Sequence, residues 1–143
     1  MSQTVVQFPA RPGATTLADE GVYLQRFAVS YEFPVYFTRG VFTPDNPAFA
    51  AALSRLEPAK RHRFVVFVDE GIVHARPHIA REIELYAARH GQQLELVAPP
   101  ITIFGGERIK NDASLVESLQ RRLLELRIDR HSYVVAVGGG AVL

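Results

Sequence analysis

The feature that most constrains the fold is the uninterrupted apolar run FVVFV at Phe64–Val68. A run of β-branched and aromatic residues without polar alternation is typical of a strand that is covered on both faces. Such strands belong to the centre of parallel sheets, whose strands are joined by helical crossovers. The run therefore predicts an α/β protein with Phe64–Val68 in a central parallel strand.

Helix and strand patterns alternate along the chain after this run. Pro77 opens a helix with an apolar face, Gly91 lies where a left-handed C-terminal cap belongs, and Leu94–Val97 forms a strand that Pro99 and Pro100 end. A second helix over about Asp112–Arg127 precedes a buried strand at Tyr133–Val137. The apolar faces of the two helices comprise Ile79, Ile83, Tyr86, Ala87, Leu115, Leu119, Leu123 and Leu126. This order predicts a three-layer, Rossmann-like domain with a mainly parallel sheet.

The residues before the central strand predict a leader, a hairpin and a short helix. Met1–Glu20 has the composition of a mobile leader, so residues 21–143 make up the domain. Phe27–Phe37 alternates apolar and polar residues around Pro34, which predicts a short β-hairpin before the sheet. The sequence Asp45-Asn46-Pro47 starts a helix over Ala48–Leu56.

Composition excludes several classes of protein. The 16 Lys and Arg residues nearly balance the 15 Asp and Glu residues, which gives no electrostatic reason to expect nucleic acid or an anionic membrane as a partner. There is no cysteine for a disulfide or a thiolate metal site. No apolar run approaches the roughly 20 residues that span a bilayer, and no secretory signal is visible. We expect a cytoplasmic protein.

The residues that follow the strands are candidate ligand contacts, because ligands of parallel sheets collect at the carboxyl ends of the strands. Asp69 directly follows the central run and is placed to accept hydrogen bonds from ribose hydroxyls. The alternative, which the sequence alone favours, is that Asp69 caps the next turn.

A second candidate loop spans Phe104–Asn111, with the sequence FGGERIKN. Gly105 and Gly106 allow the backbone to approach a ligand closely. Glu107 and Lys110, three residues apart, suit a sugar diol and a phosphate or another hydroxyl. A glycine turn with a surface ion pair explains the same residues equally well.

The third candidate is the glycine run Gly138–Gly140 behind the last strand. Glycines at this place let backbone N–H groups face a pyrophosphate. The run lacks the GxGxxG pattern, so it is no standard dinucleotide fingerprint. A flexible tail is the alternative, but the apolar Ala141–Leu143 favours the first turn of a helix, and we expect that the chain is cut there.

His74 and His78 are four residues apart, a spacing that invites a metal site. Pro77 places His74 before the helix starts, so the two side chains do not share a regular helical face. No acid or thiol completes a tetrahedral set. We therefore assign no metal ligand in this chain.

Three motifs together resemble the amino-terminal, NAD-binding domain of the dehydroquinate synthase family, the sugar phosphate cyclases. They are VFVDEG, FGGERIKN and VVAVGGGAVL, in order along about residues 22–143. The resemblance implies that Asp69 contacts the adenosine ribose of NAD and that Gly106, Glu107 and Lys110 hold ribose hydroxyls. It also implies that Gly138, Gly139 and Gly140 cradle the pyrophosphate.

The resemblance further implies a lyase, a 3-dehydroquinate synthase-like enzyme that uses NAD to convert a seven-carbon sugar phosphate into a carbocycle with loss of phosphate. In that family zinc polarises the substrate alcohol, and its ligands belong to a helical second domain. We therefore expect the catalytic and metal-binding residues beyond Leu143, a homodimer for the parent chain, and little activity from these 143 residues alone.

Three alternatives remain open at this stage. The loop at Phe104–Glu107 is somewhat closer to cyclases that take sedoheptulose 7-phosphate than to shikimate-pathway synthases. A metal-dependent alcohol dehydrogenase of the glycerol dehydrogenase kind also ends a strand in a glycine run. A non-catalytic binding module is the third possibility.

Overall fold

The structure, a computed structural model, describes residues 27–104 and 113–139. The chain divides into two units, Met1–Phe33 and Pro34–Leu143. The leader that the sequence predicts at residues 1–20 lies outside the described residues. Of the first unit, residues 27–33 are described; they form no helix or strand and are exposed to solvent.

The β-hairpin predicted over Phe27–Phe37 is wrong, because this stretch forms no strand. Its alternating pattern marks residues suited to one face of a sheet, but the pattern alone supplies no neighbouring strand. Phe27, Phe33 and Phe37 are 87%, 82% and 97% exposed. A turn follows at Gly40–Thr43, where Gly40 has φ 60° and its carbonyl accepts a hydrogen bond from the Thr43 N–H at 2.8 Å.

The described residues contain four helices and four strands. In chain order they are α1 (Ala48–Ser54), β1 (His62–Asp69), α2 (Glu70–Ala75), α3 (Ile79–Arg89), β2 (Leu94–Leu96), β3 (Ile101–Ile103), α4 (Ala113–Glu125) and β4 (Tyr133–Val137). The α/β class, the parallel sheet and the central position of β1 are confirmed. The helix α2 and the strand β3 were not predicted.

β1 pairs in parallel with all three other strands. Phe64 is in register with both Leu96 and Tyr133, and Phe67 with both Ile101 and Ala136, so β2 and β3 share one edge of β1 while β4 covers the other. β2 and β3 are thus two halves of one interrupted side strand.

Pro99 and Pro100 cause the interruption. Four residues, Val97–Pro100, separate β2 from β3, opposite only Val65 and Val66 of β1. The extra residues bulge out of the ladder, since proline has no N–H to donate. The prolines end β2 as expected, but the β-branched sequence Ile101-Thr102-Ile103 resumes the pairing immediately.

Side chains of β1 pack alternately into two apolar layers. Phe64, Val66 and Val68 belong to a cluster that includes the buried faces of α1 and α3. Val65 and Phe67 belong to a second cluster, against which three leucines of α4 and its following turn pack, Leu119, Leu123 and Leu126. Helices therefore cover both faces of the sheet, which confirms the three-layer arrangement.

Tyr86 joins α3 to the start of α1. Its hydroxyl donates to the Asn46 carbonyl at 2.7 Å and accepts from the Ala50 N–H at 3.1 Å, which satisfies one of the free donors in the first turn of α1. The Asn46 side chain accepts from the Ala48 N–H at 2.9 Å. Burial raises the pKa of the Tyr86 phenol, and the hydrogen bond from Ala50 opposes that shift.

The helix ends differ from the expectation. Gly91 is not left-handed, because α3 ends through His90 at φ −100° instead. The left-handed residue is Arg127, at φ 52° after α4. Hydrogen bonds from the Arg127 N–H to the Leu124 carbonyl and from the Ile128 N–H to the Leu123 carbonyl complete a Schellman motif.

β4 is less buried than its apolar sequence predicts. Its alternate residues Tyr133, Val135 and Val137 pack against the layer of α1 and α3, but Val134 is 52% exposed. Over residues 27–104 and 113–139 no helix combines the length and apolar character needed to cross a membrane.

Candidate functional site

The carboxyl ends of three strands meet at one edge of the sheet. Asp69 is the last residue of β1 and is in register with Ile103, the last residue of β3. Val68 is in register with Val137, the last residue of β4, so Gly138 follows at the level of Asp69. The segments that follow β1, β3 and β4 therefore start side by side, as the sequence predicted for Asp69, Phe104 and Gly138.

The order of the strands places a topological switch point at this edge. The chain passes from β1 to the side strand β2 and β3, and then returns across β1 to β4 on the opposite edge. The connection β1 to β2 carries α3 on one face, and the connection β3 to β4 carries α4 on the other. Two crossovers of the same handedness that run in opposite directions across a sheet place their helices on opposite faces. Open α/β sheets bind ligands in the crevice between two such crossovers.

Asp69 caps the segment that follows it, as the alternative interpretation of the sequence predicted. It is the N-cap of α2, with φ −59° and ψ 133°, and its Oδ1 accepts a hydrogen bond from the Gly71 N–H at 2.7 Å. Its side chain is half-buried. The second carboxylate oxygen, Oδ2, has no hydrogen-bond partner among the described residues.

The first two glycines of the run lie directly beyond β4. Gly138 is half-buried and Gly139 is exposed. A Cβ atom added to Gly139 meets no atom of the described residues within 4 Å. Gly140 lies outside the described residues.

The loop after β3 is described only at its first residue. Phe104 follows Ile103 and is 71% exposed. Gly106, Glu107 and Lys110 lie outside the described residues, and their relation to Asp69 stays a prediction.

Sequence reasoning missed two elements next to this edge. α2 starts immediately after Asp69, and the signal was the capping residue itself, followed by Glu70 in the first turn. β3 brings Thr102 into register with Val68, one residue before the edge. The β-branched residues of Ile101–Ile103 signalled this strand, but the two prolines before it outweighed them.

The two histidines that the spacing pairs do not lie in one helix. His74 lies in the last turn of α2, and His78 precedes the first residue of α3. No cluster of three or more His, Cys, Asp or Glu side chains suited to a metal occurs within residues 27–104 and 113–139.

A basic depression lies at the opposite end of the sheet, where β1 and β4 begin. It encloses about 290 Å³ and is lined by Lys60, Arg61, Arg63, Asp129, His131 and Ser132. Its cations are already paired: Lys60 with Glu57 at 3.1 Å, and Arg61 with Glu95 at 3.4 Å. The depression therefore offers little unpaired positive charge to an anion.

The carboxylates of Asp129 and Glu57, near this depression, bind neighbouring groups of the same chain. The hydrogen bond from Ser132 and that from the His131 N–H hold the pKa of Asp129 below its ordinary value. The Lys60 ammonium lowers the pKa of Glu57 in the same way. Arg63 donates to the carbonyls of Leu126 and Arg127 at 3.2 and 2.9 Å, which fixes the end of α4.

Comparison of the chain with protein-family models, with curated proteins and with solved structures gives no match. The site is therefore described by its own geometry. The Asp69 carboxylate, with one oxygen bonded to the Gly71 N–H, lies with Gly138 and Gly139 at the carboxyl edge of the sheet.

Proposed function

We propose that this chain binds NAD at the carboxyl edge of its sheet, as the nucleotide-binding part of a sugar phosphate cyclase of the dehydroquinate synthase kind. The observation that carries the proposal is the register at the switch point. Asp69 ends the central strand between Ile103 on one side and the start of the glycine run on the other. An acid and a glycine turn at neighbouring strand ends suit the ribose and the pyrophosphate of a dinucleotide.

The described residues fit a dinucleotide as far as they extend. Asp69 would accept a hydrogen bond from a ribose hydroxyl through Oδ2 while Oδ1 keeps its hydrogen bond to the Gly71 N–H. Gly138 and Gly139 would present backbone to the pyrophosphate, and at Gly139 a Cβ atom would meet no described atom within 4 Å. Gly106, Glu107, Lys110 and Gly140 are assigned by the resemblance alone.

The proposed reaction is that of a phosphate-eliminating cyclase, a carbon–oxygen lyase. NAD, when bound, would accept hydride from a secondary alcohol of a heptulose phosphate and return it later. In the proposal, the contribution of these residues is to bind and orient the dinucleotide. Zinc and the contacts to the substrate are assigned to a second domain, which the resemblance implies.

Binding of NAD to the 143-residue chain tests the first part of the proposal. Saturation-transfer NMR with NAD is expected to show binding with a dissociation constant of about 1 mM, because the proposal assigns part of the site to a second domain. Asp69→Asn is expected to weaken this binding, whereas Gln92→Glu, on the exposed turn after α3, leaves it unchanged. Absence of any NAD signal at about ten times that concentration, from a folded chain, contradicts the proposal.

Catalysis is tested on the protein expressed from its full reading frame with zinc and NAD. Inorganic phosphate release is followed in parallel from sedoheptulose 7-phosphate and from the heptulosonate phosphate of the shikimate pathway. Release from either substrate, abolished by Glu107→Ala, supports a cyclase and identifies its substrate. Oxidation of glycerol without phosphate release supports the alcohol dehydrogenase instead.

A further inference from the structure

Phe104 exposes an aromatic ring at the carboxyl edge of the sheet. It directly follows Ile103, the last residue of β3, and is 71% exposed, whereas Ile103 is buried. Isolated exposed apolar side chains are common on protein surfaces and need no explanation. Phe104 differs from such residues in its position, because it lies at the strand ends where open α/β sheets bind ligands.

We propose that Phe104 is the platform for the adenine base of the dinucleotide. Base, ribose and pyrophosphate would then lie in this order across the edge of the sheet, at Phe104, Asp69 and Gly138. The proposal rests on the proposed NAD site, and it adds a base-binding residue and a direction for the bound nucleotide. The resemblance assigns roles to other residues of this loop, but none to Phe104.

The pairing of the strands fixes the order of the three positions. β1 lies between β3 and β4, so Phe104 and Gly138 follow the sheet on opposite sides of Asp69. Neighbouring strands are about 4.8 Å apart and a strand rises about 3.3 Å per residue, which places the Cα atom of Phe104 roughly 6 Å from that of Asp69. The three positions are therefore close enough for one nucleotide to contact all of them.

A nucleotide has its chemical groups in the same order. Its ribose carries the base on the anomeric carbon and the phosphates at the far end of the sugar, and the two free hydroxyl groups lie on the ring carbons between these attachments. Asp69 would accept hydrogen bonds from the hydroxyl groups through Oδ2. With the hydroxyl groups at Asp69 and the phosphates beside Gly138, the base extends toward Phe104.

The chemistry of the side chains favours this direction over its reverse. A phenylalanine ring attracts a base through stacking but offers no N–H group or positive charge to a pyrophosphate. Asp69, Gly138 and Gly139 have no ring on which a base would stack. Stacking depends little on the identity of the base, so Phe104 contributes affinity and orientation rather than base selectivity.

A tryptophan at this position reports stacking directly, because the chain has none of its own. In Phe104→Trp, NAD and ADP are each expected to reduce the indole fluorescence at least about twofold at saturation, since both carry the adenine base. The matched control is Leu124→Trp, at a position of α4 that is 76% exposed. It lies toward the opposite end of the sheet, because the next turn of the chain contacts Arg63 near the start of β1. Its fluorescence is expected to fall only through absorption of light by the nucleotide.

Saturation-transfer NMR of NAD identifies the base that is bound. With the wild-type chain, the adenine protons are expected to receive at least about twice the saturation of the nicotinamide protons. Phe104→Leu, which keeps an apolar side chain but removes the ring, is expected to weaken NAD binding about tenfold and to abolish this difference. Phe104→Tyr keeps a ring and is expected to retain both. Urea denaturation checks that each variant is folded.

The results separate failure of this inference from failure of the NAD site. If NAD binds the wild-type chain but quenches Phe104→Trp no more than Leu124→Trp, the base lies elsewhere and the site remains. If the nicotinamide protons receive the greater saturation and lose it in Phe104→Leu, the dinucleotide lies in the reverse direction and the adenine assignment is refuted. Absence of NAD binding to the folded wild-type chain refutes the proposed function and this inference with it.

Discussion

Asp69 Oδ1 lies 2.7 Å from the backbone nitrogen of Gly71, and this hydrogen bond sets the direction in which the chain leaves the central strand. The bond starts α2 at the carboxyl edge of the sheet and leaves Asp69 Oδ2 without a partner among the described residues. One carboxylate thus has both a structural role and a proposed binding role, and substitutions are able to separate them.

Asp69→Asn is expected to keep the cap and lose the charge. Asparagine caps a helix about as well as aspartate, so we expect the free energy of unfolding to change by less than about 0.5 kcal/mol. Asp69→Ala removes the acceptor and is expected to reduce that free energy by about 1 kcal/mol. Urea denaturation measures both. Equal losses from the two variants would show that the negative charge, rather than the hydrogen bond, stabilises α2.

Gly139→Ala is expected to leave the stability nearly unchanged while weakening NAD binding. The new methyl group meets no atom of residues 27–104 and 113–139 within 4 Å, and Gly139 does not adopt a left-handed conformation, so we expect this part of the fold to accept alanine without strain. A methyl group between the backbone and a pyrophosphate is expected to reduce the affinity about tenfold. NAD titration by NMR and thermal unfolding measure the two effects. Unchanged affinity would remove Gly139 from the proposed site.

Tyr86→Phe is expected to reduce the free energy of unfolding by about 1 to 3 kcal/mol, because the Ala50 N–H and the Asn46 carbonyl lose their shared partner. The same substitution changes the pH dependence. The folded state raises the pKa of this phenol, so its contribution is complete below about pH 10 and is lost as the pH rises through the folded-state pKa. Urea denaturation at pH 8 to 11 is expected to show a steeper loss for wild type than for Tyr86→Phe. Parallel curves would contradict this assignment.

Arg127→Gly is expected to raise the free energy of unfolding by about 0.5 kcal/mol. Arg127 has φ 52°, a left-handed conformation that is unfavourable for residues with a Cβ atom, and glycine removes that penalty at some cost in chain entropy. The carbonyl of residue 127 still accepts the hydrogen bond from Arg63. Arg130→Gly, in the same turn with negative φ, is the control and should give no gain. A loss in Arg127→Gly as large as in the control would mean that the Schellman turn carries no strain.

The parts of the fold that the sequence predicted are those where burial dictates residue type. β1 is apolar at Phe64–Val68 because both of its faces are covered, and the four predicted apolar residues of α3 are its four buried ones. The position of Asp69 beside Gly138 also followed from the sequence, because carboxyl ends of parallel strands share an edge.

The wrong predictions arose where local residue type and tertiary context disagree. Gly91 has the residue type of a helix cap without its conformation, whereas Arg127 has the conformation without the residue type. Alternation at Phe27–Phe37 indicates a strand but contains no information about its partner. Pairing along this edge of β1 resumes after Pro99 and Pro100, because β2 and β3 pair separately with β1.

The central position of β1 also has a consequence for the order of folding. Each of the other described strands pairs with β1. The hydrogen bonds along both edges of β1 therefore form only when segments that are distant in the chain meet. β4 is the most distant of these strands, and it leaves the ribosome after the other three. During synthesis, β1 therefore exposes one complete apolar edge until residue 137 emerges, and the slow closure of this long loop is expected to limit the folding rate. Aggregation during expression should then be greatest for chains that stop before β4.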